Sequence, residues 1–199
     1  MKQTIAVIDY NAGNVQSVMF ALEKFEIDAI LTDDHKIIST ADKVLFPGVG
    51  EASTTMKFLK DRGLDTLIPS LQQPVLGICL GLQLLCTHSE ENDTTCLGIL
   101  PVQVKRFIPH NGLKVPHMGW NQIHLTENHW ISNELKNQYV YFVHSYYAEL
   151  NEYAIGITDY GIKFASIIQK DNFYATQFHL EKSGPIGLKI LESFLNLKH

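Results

Sequence analysis

Two hydrophobic periods alternate along the first half of the chain. Short apolar runs at Thr4–Ile8, Asp28–Thr32, Lys43–Phe46 and Val75–Cys79 read as strands. Between them lie segments with apolar residues every three or four positions. One runs from Asn14 to Lys24, with Val15, Val18, Met19 and Leu22 on one face, and another from about Ala52 to Lys60. A series of this kind predicts a mainly parallel sheet with helices on both faces, a three-layer α/β fold. The second half is strand-rich, with Leu97–Phe107, Trp120–Leu125, Tyr139–Tyr147, Tyr153–Thr158, Ile162–Gln169 and Phe173–Phe178 following one another with little helical pattern between. Antiparallel pairing is expected there, including a hairpin through Lys170-Asp171-Asn172. Tyr139–Tyr147 reads as a half-buried strand whose aromatics fill the core. The chain closes with a helix opened by Ser183-Gly184-Pro185, with Ser183 or Gly184 as cap and Ile186, Ile190, Leu191 and Phe194 as its apolar stripe. No repeat, linker or low-complexity segment interrupts the pattern, so residues 1–199 are expected to form a single domain.

Composition narrows the function classes. With 45% hydrophobic and 19% charged residues the chain has the balance of a soluble globular protein. A net charge of -5 gives no electrostatic reason for nucleic acid or anionic lipid. Lys57, Lys60 and Arg62 read as the solvated face of a helix. The longest apolar run, Val75 to Cys86, contains Gln83 and falls short of the roughly 20 residues a membrane helix needs. The first residues carry one lysine and too short an apolar run for a signal peptide. Three cysteines, Cys79, Cys86 and Cys96, form an odd set without metal-type spacing, which suits a reducing compartment. A cytoplasmic protein is expected, with Cys86 and Cys96 structural.

Cys79 stands apart from the other two. In Gly77-Ile78-Cys79-Leu80-Gly81 it follows the apolar strand Val75–Cys79 and precedes Leu82-Gln83-Leu84-Leu85. This is the pattern of a nucleophile elbow, in which the chain leaves a buried strand, turns sharply at the nucleophile and enters a helix. The flanking glycines let such a turn close. The helix N-terminus then points at the sulfur and favours negative charge there, and the Leu80 N–H is offered to a developing oxyanion. Pro47-Gly48-Val49-Gly50, also at a strand end, supplies a second candidate donor. The similarity of Gly48 to Ser53 to a dinucleotide loop fails at Ser53, where a third glycine belongs.

A base and an orienting group come from Gln177-Phe178-His179-Leu180-Glu181. In an extended segment Gln177, His179 and Glu181 share a face, so Glu181 can hold the His179 imidazole in one tautomer. His110, His117 and His124 recur every seven residues, but Pro109, Gly112, Pro116 and Gly119 forbid the helix a metal face would need.

Gly77 to Gln83 and Gln177 to Gly184 together resemble class I glutamine amidotransferase domains, which have a flavodoxin-like α/β fold. Asp9 to Asn14, Pro47 to Gly50, His117-Met118-Gly119-Trp120-Asn121 and Phe142 to Tyr146 are similar to one branch, the glutaminase subunits of imidazole glycerol phosphate synthase in histidine biosynthesis. The resemblance spans residues 5 to about 195. It implies that Cys79 attacks the carboxamide of glutamine, His179 moves the proton, Glu181 orients His179, and the Val49 and Leu80 amides hold the oxyanion. Gly50, Gln83, Glu91, Ser145 and Tyr146 would bind glutamine. Asn14, Met118, Trp120 and Tyr141 would face the partner, a (β/α)8-barrel cyclase that receives the ammonia. No cofactor and no metal is implied.

In this family the glutaminase idles until the partner binds its ligand, because the Pro-Gly-Val-Gly strand presents the wrong face to the oxyanion. The chain departs from the family pattern at Leu180, where proline is usual, at Asn11, where glycine is commoner, and at Glu51, where alanine is commoner. Two other readings stand beside this one: a paralogous subunit feeding ammonia to a surface-sugar enzyme, and an inactive scaffold for the barrel.

Overall fold

The computed structural model describes residues 3–10, 15–25, 27–109, 113–127 and 130–197. In chain order the first half contains β1 (Thr4–Ile8), α1 (Val15–Glu23), β2 (Asp28–Thr32), α2 (His35–Thr40), β3 (Lys43–Gly48), α3 (Ala52–Asp61), α4 (Leu64–Ser70), β4 (Val75–Cys79) and α5 (Leu80–Leu85). β1, β3 and β4 are buried almost end to end, as strands covered on both faces must be. They pair in parallel in the order β2-β1-β3-β4, with the exposed β2 at the edge.

Alternate side chains of these strands feed two separate cores. Ala6, Ile8, Val44 and Phe46 pack against α2 to α5, while Ile5, Val7 and Leu45 pack against α1 and the last helix. That division produces the three layers.

The second half contains the short β5 (His88–Ser89) and β6 (Thr94–Thr95), then β7 (Gln103–Arg106), β8 (His117–Gln122), β9 (His124–Leu125), β10 (Tyr139–His144), β11 (Tyr146–Ala148), β12 (Ala154–Asp159), β13 (Lys163–Lys170), β14 (Phe173–Thr176) and α6 (Gly184–Leu195). β14 lies parallel to β4 and antiparallel to β13, so it joins the two regimes in one twelve-stranded sheet. The parallel order therefore holds for one half of the sheet, and the antiparallel order for most of the other.

Four expectations change in detail. Only Gln103–Arg106 of the run Leu97–Phe107 is a strand, because Gly98 takes a left-handed turn (φ 71°) and Pro101 lacks an N–H to donate. The run Tyr139–Tyr147 breaks at Ser145. β10 pairs with β8 in a separate two-stranded sheet and β11 rejoins the main one, so Ser145 and Tyr146 sit where the chain changes sheets. Within that run Phe142 is buried but Tyr139 is exposed and Tyr141 half-buried, since alternate residues face outward. Ser183 occupies the cap position of α6 without capping it, because its hydroxyl donates to the His179 carbonyl instead (2.6 Å).

The helices α2 and α4 carry no sequence signal comparable to the others, with six and seven residues respectively and Pro69 inside α4. Among the described residues no helix is long and apolar enough to cross a membrane.

Candidate active site

The elbow is built from backbone contacts that leave no room for side chains. Cys79 adopts φ 55° and ψ -107°, a left-handed conformation that costs a non-glycine residue energy and recurs at nucleophile elbows. A Cβ on Gly81 would lie 2.0 Å from the Phe46 carbonyl oxygen, and one on Gly48 would lie 2.4 Å from the Gly81 nitrogen. A Cβ on Gly77 would stand 2.9 Å from the Gly81 carbonyl carbon. The ends of β3 and β4 thus press directly on the first turn of α5, and Gly48 lies beside Cys79 in register. The Leu80 N–H, in the first turn, has no partner four residues back in the helix.

His179 arrives from the antiparallel half. Its N–H donates to the Tyr141 carbonyl (3.0 Å), and its own carbonyl accepts from Ser183 Oγ. Three residues after β14 the backbone turns into a short 3₁₀ helix, Leu180–Lys182. Glu181 therefore does not continue an extended strand as its spacing implies. The turn folds it back, and its Oε1 takes a 2.7 Å hydrogen bond from His179 Nδ1, both side chains being buried.

Cys79 lines the same cleft as His179, close enough for the sulfur to act on the charge of the ring. Burial opposes charge on the ring, but Cys79 and then Glu181 outweigh it, raising the His179 pKa to about 10. Such a pairing favours the charged imidazolium, oriented by a carboxylate.

Beside the couple lies a cleft of about 340 Å³, inside the roughly 300–1,000 Å³ range of small-molecule sites. Val49, Gly50, Leu80, Gln83, Glu91, Ser145 and Tyr146 all line it together with Cys79 and His179. Gly50 has φ 118°, a conformation open in practice to glycine alone. Gln83 Nε2 donates to the Tyr146 carbonyl (2.9 Å) and to Gln177 Oε1 (3.1 Å).

Glu91 accepts from the Ala52 N–H (2.8 Å), and burial raises its pKa against that bond. The neighbouring Glu51 caps α3 by accepting from the Ser53 and Thr54 amides, and also accepts from Asn92 Nδ2. Its unusual identity is thereby given a structural role.

Tyr10 was not among the residues singled out by sequence. It is buried, and its hydroxyl donates to the Pro47 carbonyl (2.6 Å). Tyr10 thereby holds the start of the Pro47–Gly50 segment.

Gln177 was recognised only as sharing a face with His179. It is fully buried, and its Nε2 stands 3.8 Å from Cys79 Sγ. The alternation of Gln177 with His179 was the one available signal.

Met118 and Trp120 lie outside the cleft on the outer face of β8 and are 62% and 57% exposed. Trp120 meets Tyr141 edge to face (6.0 Å) across the β8–β10 pair. Asn14 and Asn11 lie outside the described residues.

The histidines spaced by seven do not meet: His117 is buried against His144, His124 contacts Asn137, and His110 lies outside the described residues. Among the described residues no group of three or more His, Cys, Asp or Glu could hold a metal ion. Cys86 and Cys96 are buried free thiols, and burial first and foremost raises both their pKa values, that of Cys96 to about 11.

Comparison with known proteins agrees with this geometry. The family model described as glutamine amidotransferase class-I matches residues 6–197. The imidazole glycerol phosphate synthase subunit HisH of Bacteroides thetaiotaomicron is 52% identical over 97% of this chain and 99% of that protein. The subunit of the same name from Idiomarina loihiensis is 42% identical over 97% of both. Among solved structures, a glutamine amidotransferase superposes with a TM-score of 0.74 over 96% of both chains at 16% identity, a likeness of fold alone.

Proposed function

We propose, on the premise that the chain belongs to the class-I glutamine amidotransferases, that it is the glutaminase subunit of an imidazole glycerol phosphate synthase and acts as one domain. The observation that carries the chemistry is the buried His179–Glu181 hydrogen bond set beside Cys79 at the wall of the cleft.

Glutamine would lie in the cleft against Gly50, Gln83, Glu91, Ser145 and Tyr146. The Cys79 thiolate adds to the side-chain amide carbon, and the carbonyl oxygen becomes an oxyanion facing the Leu80 N–H. His179, already protonated and held by Glu181, donates its proton to the leaving nitrogen as the C–N bond breaks, so ammonia departs and a γ-glutamyl thioester remains. Water then attacks the thioester, His179 takes a proton from it, and the C–S bond breaks to release glutamate and restore Cys79. No step calls for a cofactor.

The Val49 amide is the second oxyanion donor on this reading, and the Tyr10 hydroxyl, bonded to the adjacent Pro47 carbonyl, holds its strand in the idle conformation. Turning the glycine-flanked Val49 peptide toward the cleft would complete the oxyanion site.

Met118, Trp120 and Tyr141, with Asn14, form the face for the cyclase subunit. That subunit is a (β/α)8 barrel which accepts the ammonia and converts a phosphoribulosyl formimino carboxamide nucleotide to imidazole glycerol phosphate and an aminoimidazole carboxamide ribotide. The cytoplasm is the expected setting.

Glutamate release is the test, measured for this chain alone and with a histidine-pathway cyclase carrying its nucleotide ligand. Feeble activity alone and strong activation by the liganded partner are expected. Cys79→Ala should abolish glutamine-dependent synthesis and spare ammonia-dependent synthesis. Strong partner-free turnover would overturn the idle state, and indifference to Cys79→Ala would make the chain a scaffold.

A further inference from the structure

The catalytic steps above leave unused a buried chain of hydrogen bonds that begins behind the cleft and ends on β8. The Tyr146 carbonyl accepts twice, from Gln83 Nε2 (2.9 Å) and from His144 Nδ1 (2.7 Å). A carbonyl can only accept, so Nδ1 of His144 carries a hydrogen. Burial keeps both rings of the pair neutral, pushing the His144 pKa down to about 3 and that of His117 to about 4. In a neutral ring the other nitrogen accepts, so His144 Nε2 takes its hydrogen from His117 Nδ1 at 3.0 Å. His117 Nε2 accepts in turn from Asn121 Nδ2 (3.3 Å), which also donates to the Asp159 carbonyl (2.9 Å). On the far side Gln83 donates to Gln177, whose own amide nitrogen faces Cys79 Sγ. Every polarity from Asn121 to the sulfur is thereby fixed.

A histidine pair in a core is ordinarily explained by packing. Here Phe107, Phe142 and Phe164 all contact both rings, so a pair of phenylalanines would meet the same surroundings without two polar rings to satisfy. What imidazole adds is the two-ended link. One end is the carbonyl that also orients Gln83. The other end lies on β8, where His117 and Asn121 point inward and alternate with the exposed Met118 and Trp120.

We propose that His144 and His117 are positioning residues for glutamine hydrolysis. Through the Tyr146 carbonyl they hold the Ser145–Tyr146 backbone and the Gln83 amide in the substrate-binding orientation, and they tie that segment to the strand that bears the partner-facing side chains. The kinetic part rests on the glutaminase reading; the tautomers do not.

Nitrogen-15 imidazole spectra of the wild-type chain at neutral pH test the link directly. Both His117 and His144 should appear as Nδ1–H tautomers, with His144 identified by the signals lost in His144→Asn. An Nε2–H tautomer or a charged ring at His144 overturns the proposal. In the complex with the liganded cyclase, His144→Phe should raise KM for glutamine about tenfold while kcat changes by less than about threefold. His144→Asn places an amide nitrogen near the position of Nδ1 and should recover most of that loss. Equal KM values for the two variants, or a loss of thermal stability with KM unmoved, also overturn it. If wild-type complex fails to release glutamate, the glutaminase reading falls, and the tautomers alone decide the link.

Discussion

Cys79 reaches the cleft from the parallel half of the sheet and His179 from the antiparallel half, and the two are held by different forces. Around Cys79 the constraint is steric and lies in the backbone: Gly48, Gly77 and Gly81 let β3, β4 and α5 approach to distances no Cβ would permit. Around His179 the constraint is polar, with Glu181 and the Tyr141 carbonyl each accepting one hydrogen bond from it and Ser183 Oγ donating one to its carbonyl. The nucleophile can be fixed rigidly because its strained φ is over-determined by packing on every side. The base must instead change protonation during the reaction, and hydrogen bonds can follow that change where steric walls cannot.

The contrast is open to attack by substitution. Gly81→Ala should have the largest effect, a loss above about 3 kcal/mol or failure to fold, because its new methyl meets the Phe46 carbonyl at 2.0 Å and backbone must move. Urea unfolding measures it, and a loss below about 1 kcal/mol would show that the elbow is not sterically locked.

A pH-dependent effect comes next. The His179 pKa is raised above its unfolded value, chiefly by Cys79 and then Glu181 against burial. The stabilisation it contributes is complete below about 6.5, the ordinary imidazole value, and is lost as pH rises through about 10. Cys79→Ala should lower the His179 pKa and move that loss to lower pH. Denaturant midpoints of both proteins between pH 6 and 10.5 would reveal it, and parallel profiles would disprove the coupling.

Leu180→Pro should have the smallest effect on chemistry. His179, at φ -86° and ψ 109°, has the extended backbone favoured before proline, so the triad geometry is retained and activity with the partner should be equal or higher. Leu180 is buried in the core beneath α6, so stability should fall by about 1–2 kcal/mol. A large loss of glutamate release would mean that the Leu180 amide or side chain matters to His179.

What was legible in the sequence follows the same division. Steric devices leave local marks: the glycines around Cys79 and the apolar runs of β1, β2 and β4 gave their places with the observed bounds. Polar devices join distant residues and leave few. Tyr10 meets Pro47 across 37 positions, and Gln177 meets Cys79 across 98. The break at Ser145 was hidden inside one apolar run, because a change of partner strand alters hydrogen bonding without altering side-chain alternation. The 3₁₀ turn after His179 was hidden because Glu181 lies two positions on, a spacing that an extended strand would also satisfy.

The bond from Tyr10 to the Pro47 carbonyl carries a consequence for affinity. On the proposed reading, whatever turns the Val49 amide toward the oxyanion must work against the hold of the Tyr10 hydroxyl on the adjacent Pro47 carbonyl, and that work is done by partner binding. Linkage makes the exchange reciprocal: a γ-glutamyl adduct or oxyanion mimic that prefers the turned amide must tighten the partner's hold by the factor with which the partner tightens its own. Tyr10→Phe removes the hydroxyl's hold on Pro47. It would leave the isolated chain less idle and the complex less responsive, so thrift with glutamine and sensitivity to the partner would be set by a single phenolic oxygen.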